Sequence, residues 1–222
     1  MSKIRNQRAR RNIILFILSF VYVFFIGLID DDSLRSYIYY FTSAAIYFSA
    51  VLVIIEKRYK YFFLAVFLVL LDAVSLIFDF ELISIIASVI SFTFFIFVII
   101  KLVIRIAKSK TVGTLEFIEA INIYFLFGII GSILFRLIYS NDVHSFNYPS
   151  ESLRHTADFL YFSFVTISTL GYGDITPNQD LAKSLSIFLS VTGQLYLTMI
   201  IAMLVGKYLS QPKQDKKVDK DK

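Results

Sequence analysis

Six apolar stretches, each long enough to cross a lipid bilayer, constrain the fold of this chain more than any other feature. An α-helix rises 1.5 Å per residue, so about 20 apolar residues cover the roughly 30 Å of a hydrocarbon core. We predict membrane spans at residues 12–29, 37–55, 61–78, 82–100, 115–139 and 181–209. The sequence therefore predicts an all-α membrane protein with six transmembrane helices.

The composition agrees with a membrane location. Hydrophobic residues make up 57% of the 222 residues, whereas roughly 45–50% is usual for soluble domains. The chain has no cysteine, which excludes disulfides and thiolate metal sites. We find no pattern typical of a catalytic nucleophile, a metal cluster or a phosphate-binding loop, so we expect no enzymatic activity and no cofactor.

Lysine and arginine residues fall on one side of the predicted membrane. Eighteen of the 22 lie before the first span, after the second, after the fourth, or at and beyond the end of the sixth. By the positive-inside rule, this side and both termini are cytoplasmic. The net charge of +5 therefore reflects topology and does not indicate nucleic-acid binding. We expect a multi-pass protein of the plasma membrane.

A polar interval separates the fifth and sixth spans and contains the most informative motif. Residues 140–158 are largely polar, and the apolar run that follows, 159–168, is too short to cross a bilayer. Next come glycines and polar residues, in the sequence TISTLGYGD at 166–174. Irregular backbone is tolerated at membrane depth only where protein buries it or water lines it. The pattern therefore predicts a half-membrane helix that re-enters from outside and leads into a pore.

TISTLGYGD resembles the potassium-channel signature T-x-x-T-x-G-Y-G-D at all six defined positions. On this motif and its place between two spans, the chain is identified as a member of the tetrameric potassium channel family with six spans per subunit. The resemblance implies a homotetramer in the bilayer, with K⁺ as the permeant ion. It also implies a selectivity filter, a re-entrant pore helix before it and an inner pore-lining helix after it.

The resemblance assigns roles to the residues of the filter. Backbone carbonyls of Thr169, Leu170, Gly171 and Tyr172 would coordinate K⁺, with the Thr169 hydroxyl at the innermost position. Gly171 and Gly173 fit this role because glycine reaches unusual dihedral angles at little cost. The side chain of Tyr172 would brace the filter from behind. Many relatives carry valine where Leu170 stands, a change that leaves the backbone chemistry intact.

Flanking residues complete the expected site. The carbonyl end of the pore helix, from Thr166 to Ser168, would point at the pore centre and favour a cation there. Asp174 would lie at the external mouth, concentrate cations and tether the filter. Tyr161 and Phe162 stand where many relatives carry two tryptophans, so the support of the filter is expected to differ.

Charges in the other spans bear on gating. Residues 82–100, the predicted fourth span, contain no lysine or arginine, and Lys101, Arg105 and Lys108 cluster at its cytoplasmic end. Each charge that crosses 100 mV supplies about 2.3 kcal/mol, so we predict little or no voltage dependence. Asp72 lies within the third span. It is either a relic of the acid found in voltage-sensor third spans or a protonated or hydrogen-bonded residue.

Small residues in the last two spans indicate helix contacts or bending. Gly193 lies about halfway along the sixth span, where related channels often have a hinge glycine. It serves either as a gating hinge or as a point of close helix packing. Gly128 in the fifth span is expected to lie at a helix contact.

These expectations divide the chain into four parts. Residues 1–11 form a cytoplasmic basic segment, 12–110 a four-helix voltage-sensor-like domain without the arginine array, 111–209 the pore domain, and 210–222 a disordered cytoplasmic tail. The tail has no room for a gating domain, so such control would require a separate regulatory subunit. Two alternatives to a conducting K⁺ channel remain: a non-conducting or regulatory channel subunit, and, further behind, a subunit of a K⁺ uptake transporter.

Overall fold

The computed structural model describes residues 2–54, 63, 66–70, 81–109, 112–148 and 156–210. Within these ranges we number six α-helices in chain order: α1 (Ser2–Phe24), α2 (Asp32–Ile54), α3 (Glu81–Lys108), α4 (Thr114–Asn141), α5 (Thr156–Ile167) and α6 (Asp180–Leu209). Short 3₁₀ turns, Ile26–Leu28 and Val143–Ser145, follow α1 and α4. Residues 66–70 are also helical.

The helices confirm an all-α membrane protein. Among the described residues, five helices, α1, α2, α3, α4 and α6, are long and apolar enough to span a membrane. The predicted third span, 61–78, lies largely outside the described ranges, and so does Asp72. Six spans therefore stay a prediction. α5 has 12 residues, which corresponds to a length of about 18 Å and is too short to cross a bilayer.

The basic N-terminal segment is helical and continues directly into the first span. α1 begins at Ser2, ten residues before the apolar stretch that predicted it. Helix α4 lies at the centre of the fold and contacts α1, α3, α5 and α6. It meets α5 at Gly128, whose carbonyl oxygen accepts a hydrogen bond of 2.6 Å from the Ser163 hydroxyl. The expected helix contact at Gly128 is therefore present in the structure.

A buried polar cluster joins α1, α3 and α4 near their predicted cytoplasmic ends. The Glu119 side chain is fully buried and accepts hydrogen bonds from Arg8 Nε (3.1 Å) and Nη2 (3.2 Å). Asn12 Nδ2 and Arg105 Nη1 also donate to Glu119 Oε1, at 3.2 and 3.4 Å. Arg105 reaches further, to the carbonyl oxygen of Val53 at the end of α2. One carboxylate thus connects the peripheral helices to the central one.

A lysine joins α6 to the end of α3. Lys207 Nζ donates hydrogen bonds to the carbonyl oxygens of Ile106, Ala107 and Ser109 at 3.1, 2.8 and 3.0 Å. The last carbonyls of a helix have no partner within the helix, and they carry partial negative charge. A cation at this position therefore caps α3 and fixes the C-terminal turn of α6 beside it.

At the opposite end, two very short strands position the segment between α5 and α6. β1 (Phe146–Asn147) and β2 (Thr176–Pro177) pair in antiparallel fashion. Asn178 N also donates to Ser145 O at 2.8 Å. Below them, aromatic rings of α4 and α5 pack together; the Phe135 and Phe162 centroids lie 4.7 Å apart. This end of the fold is therefore a fixed frame for the residues that follow α5.

Candidate functional site

The signature loop, which we define as residues 169–174, leaves the end of α5 in an unusual backbone conformation. Thr169, Gly171 and Gly173 have φ angles of 60°, 56° and 80°. Leu170 and Tyr172, which lie between them, are not left-handed. Alternation of left- and right-handed residues turns successive peptide groups toward the same side of the chain. A single row of like-oriented peptide groups is therefore the expected outcome.

Thr169 is the only residue other than glycine with positive φ in the described part of the chain. β-Branched residues rarely adopt this conformation, which costs about 1–3 kcal/mol and persists only where the surroundings enforce it. The end of α5 supplies part of that support, since Thr169 N donates to Thr166 O and Leu170 N to Val165 O, both at 3.0 Å. The N–H of Gly171 also points to Val165 O, at 3.4 Å. The first turn of the loop is thus fixed to α5.

The carbonyl oxygens are the next feature of the signature loop. Among the described residues, no N–H or O–H group donates to the carbonyl oxygens of 169–173. The loop is also exposed within one chain, with exposed fractions of 61% for Leu170 and 69% for Tyr172. Unpaired carbonyls are suited to coordinate a cation.

Asp174 closes the outer end of the loop through a hydrogen bond to α5. The Tyr161 hydroxyl donates to Asp174 Oδ2 at 2.6 Å, and Ile175 N donates to Asp174 Oδ1 at 3.0 Å. The bond from Tyr161 holds the pKa of the Asp174 carboxyl below its usual value, and the Ile175 N–H adds to this effect. The same bond raises the pKa of Tyr161 to about 12, so the phenol keeps its proton and remains a donor. Tyr161 thus provides a tether where many relatives carry tryptophan.

The inner end of the loop is held by α6. Gln194 Nε2 donates a hydrogen bond of 2.8 Å to Thr169 Oγ1. The preceding residue, Gly193, lies against the end of α5: an added Cβ would be 2.5 Å from the carbonyl oxygen of Ile167. The structure therefore shows close helix packing at Gly193, one of its two expected roles, and the hinge stays a prediction.

The residues predicted for the site lie together, with one exception. Thr166 lies in the last turn of α5, Ser168 directly follows the helix, the signature loop comes next, and Gly193 packs against Ile167. Ser168 Oγ donates back to Phe164 O in α5 at 2.6 Å. Asp72, the exception, lies outside the described residues. Sequence reasoning missed Gln194, although a polar side chain in the middle of an apolar span was a signal that could have identified it.

Comparison with known proteins finds a match for the segment that contains the signature loop. A family model described as "Ion channel" matches residues 119–210, which cover most of α4, all of α5 and α6, and the signature loop. Over this segment the chain is similar to the ion channel family. The chain is also similar to proteins named as potassium channels, and this similarity confirms its resemblance to the potassium channel family.

The similarity to curated relatives covers only part of the chain. Two-pore potassium channel 4 of Arabidopsis thaliana is 45% identical over 53 residues, which are 24% of this chain and 19% of the relative. A voltage-gated potassium channel of Aeropyrum pernix is 27% identical over 90 residues, 40% of this chain and 30% of the relative. The chain thus spans less than a third of the length of these relatives. No solved structure matches the chain.

Proposed function

We propose that the chain is a subunit of a potassium-selective channel that passes K⁺ passively across the plasma membrane. The observation that carries this proposal is the signature loop, in which the potassium-channel motif coincides with left-handed φ angles at Thr169, Gly171 and Gly173. The match of residues 119–210 to an ion channel family model and the names of the curated relatives support the same function.

Selectivity would follow from how the loop replaces water. K⁺ must lose its hydration shell to enter a narrow filter, and carbonyl oxygens can take the place of that shell. In the proposed filter, K⁺ is coordinated by the carbonyls of Thr169, Leu170, Gly171 and Tyr172 and by the Thr169 hydroxyl, while Gly173 completes the turn. The carbonyl end of α5, from Thr166 to Ser168, adds a favourable dipole. No cofactor is required.

One chain supplies only one row of carbonyls, so the proposed conducting unit is a homotetramer around a four-fold axis. The exposure of Leu170 and Tyr172 within one chain supports this assembly, because both side chains remain available to neighbouring subunits. Asp174 would then form a ring of four carboxylates at the external mouth. Such a ring attracts cations from solution.

The peripheral helices are proposed to form a voltage-sensor-like domain, residues 12–110, beside a pore domain, residues 111–209. Both termini, including the basic segment 1–11 and the tail 210–222, would be cytoplasmic. Little voltage sensing is expected, since residues 82–100 of α3 contain no lysine or arginine. Arg105, nearer the end of α3, has a structural role in the ion pair with Glu119.

The test is ion flux into liposomes that contain only the purified full chain. We expect K⁺ flux well above Na⁺ flux, blocked by Ba²⁺, with a weak dependence on membrane potential. Gly173→Ala should abolish K⁺ selectivity, because its φ of 80° is unfavourable for any residue with a Cβ. Gly27→Ala is the matched control: Gly27 has no positive φ, and its nearest neighbour, Tyr39 Oη, is at an ordinary 3.7 Å.

Three results would contradict the proposal. Equal flux of Na⁺ and K⁺ would show that the channel is not selective for K⁺. Selective K⁺ flux that survives Gly173→Ala would show that the signature loop is not the source of selectivity. Absence of flux at every voltage and pH tested would favour a non-conducting subunit, which should then gain or modify conductance only with another channel chain.

A further inference from the structure

The middle of α6 carries a side chain that reaches the signature loop from a distant part of the chain. Gln194 lies 25 residues after Thr169, and its amide nitrogen is 2.8 Å from the Thr169 hydroxyl oxygen. Thr169 Oγ1 is the innermost oxygen of the proposed filter. The polar group that contacts it is thus on the helix that would line the cavity below.

Close packing of α6 against α5 explains why Gln194 can make this contact. Gly193 has no side chain, and a Cβ at that position would meet both the Cγ1 atom of Ile167 and its carbonyl oxygen, the latter at 2.5 Å. The glycine therefore lets the backbone of α6 approach the last turn of α5. The next residue, Gln194, is brought directly below the start of the loop.

Thr169 needs a partner for its side chain as well as for its backbone. The bond from Thr169 N to Thr166 O fixes the backbone in its left-handed conformation. This bond leaves χ1 free, and a threonine side chain readily occupies more than one χ1 rotamer. The amide of Gln194 selects the rotamer in which Oγ1 faces α6. One lone pair of Oγ1 accepts the amide N–H, and the second lone pair remains for a cation.

We propose that Gln194 is a positioning residue for the innermost cation site. Its amide holds the Thr169 hydroxyl oxygen in the place where an ion from the cavity exchanges its last water molecules for protein oxygens. This inference rests on the proposed channel function. It assigns a specific task to a side chain that the signature motif does not include.

Barium is a suitable probe because it has nearly the size of K⁺ and twice its charge, so that it binds strongly where K⁺ is coordinated. We would measure two half-effective Ba²⁺ concentrations on the purified full chain. One is for block of K⁺ flux in liposomes, and the other is for the rise in melting temperature that bound cation produces. The second measurement reports on the site without requiring conduction.

Two variants remove the contact in different ways. Gln194→Leu replaces the amide with an apolar group, and Gln194→Asn keeps an amide that is one methylene too short to reach Thr169. Both should raise the two half-effective Ba²⁺ concentrations by about three- to tenfold, the change expected for loss of one hydrogen bond. Thr198→Val is the control. Its hydroxyl, one turn further along α6, donates to the carbonyl oxygen of Gln194 and does not contact the loop.

The outcomes separate this inference from the proposed function. If the wild-type chain binds Ba²⁺ and both Gln194 variants keep its half-effective concentrations within twofold, the positioning role is overturned while the channel stands. A change in melting temperature without Ba²⁺, with unchanged Ba²⁺ affinity, would likewise reduce Gln194 to a structural role. If the wild-type chain shows neither selective flux nor stabilisation by Ba²⁺, the filter and the inference fail together.

Discussion

Replacement of Glu119 by leucine should destabilise the protein more than any conservative change elsewhere on α4. The carboxylate is fully buried and accepts hydrogen bonds from Arg8, Arg105 and Asn12. Loss of one partner from a buried ion pair leaves the other charge uncompensated, at a cost of about 3–5 kcal/mol. The side chains of Arg8 and Arg105 are 29% and 15% exposed, so water solvates them in part. We therefore expect the lower end, about 3 kcal/mol.

The assay is unfolding of the purified chain in mixed micelles, followed by the loss of helical circular dichroism. A loss of about 3 kcal/mol corresponds to a change of roughly a hundredfold in the unfolding equilibrium. Glu116→Gln is the matched control one turn earlier on α4. Glu116 Oε2 accepts from Gly113 N at 2.9 Å, and glutamine can form the same capping contact, so little change is expected.

A double variant provides the decisive comparison. Arg8→Met combined with Glu119→Leu removes the charge on both sides of the main ion pair, so it should be more stable than Glu119→Leu alone. Two results would show that the cluster is not a desolvated ion pair and that the reasoning is wrong. One is a cost of less than about 1 kcal/mol for Glu119→Leu, and the other is a double variant that is less stable than Glu119→Leu alone.

Two other predictions concern the loop and its support. Gly193→Ala should lower the free energy of unfolding by about 1–3 kcal/mol, because the added Cβ would meet the backbone of Ile167. Gly206→Ala on the same helix is the control and should be neutral or stabilising, because an added Cβ there has no atom within 4 Å. Equal effects of the two substitutions would refute the close approach of α6 to α5 at Gly193. Tyr161→Phe removes the hydrogen bond that lowers the pKa of Asp174, so the carboxylate of the variant should protonate at a higher pH than in the wild-type chain. Extracellular acid should therefore begin to reduce K⁺ flux at a higher pH in the variant. Tyr148→Phe is the control, because the Tyr148 ring packs against Tyr139, with 5.8 Å between ring centroids. An unchanged pH profile of Tyr161→Phe would contradict the role of Tyr161 as the partner of Asp174.

The sequence predicts the spans and the loop because each depends on neighbouring residues. Apolar length alone identifies a membrane helix, and the filter motif is contiguous, so its residue types carry the requirement for left-handed backbone. The prediction for the basic N-terminal segment was less complete. The positive-inside rule already explains a basic residue at position 8, so the sequence offers no reason to expect that Arg8 also binds Glu119 on α4.

Contacts between distant residues could not be predicted in this way. Gln194 and Thr169 are 25 residues apart, and Arg8 and Glu119 are 111 apart. Hydropathy identifies the face or the end of a helix on which such residues lie, but it does not give the rotation of one helix against another. That rotation follows from close packing at positions such as Gly193, which is a property of the assembled helices.

The arrangement of contacts around the loop implies that selectivity and stability can be separated by mutation. The loop is exposed within one chain and has little apolar packing of its own, so its shape depends on three polar supports: the end of α5, Tyr161 outside and Gln194 inside. These supports are local, and loss of one should change ion binding with a small effect on unfolding. The Glu119 cluster has the opposite effect, because it fixes α1 and α3 to α4 and does not contact the loop. Its loss should weaken the fold and leave the selectivity of the chains that remain folded unchanged.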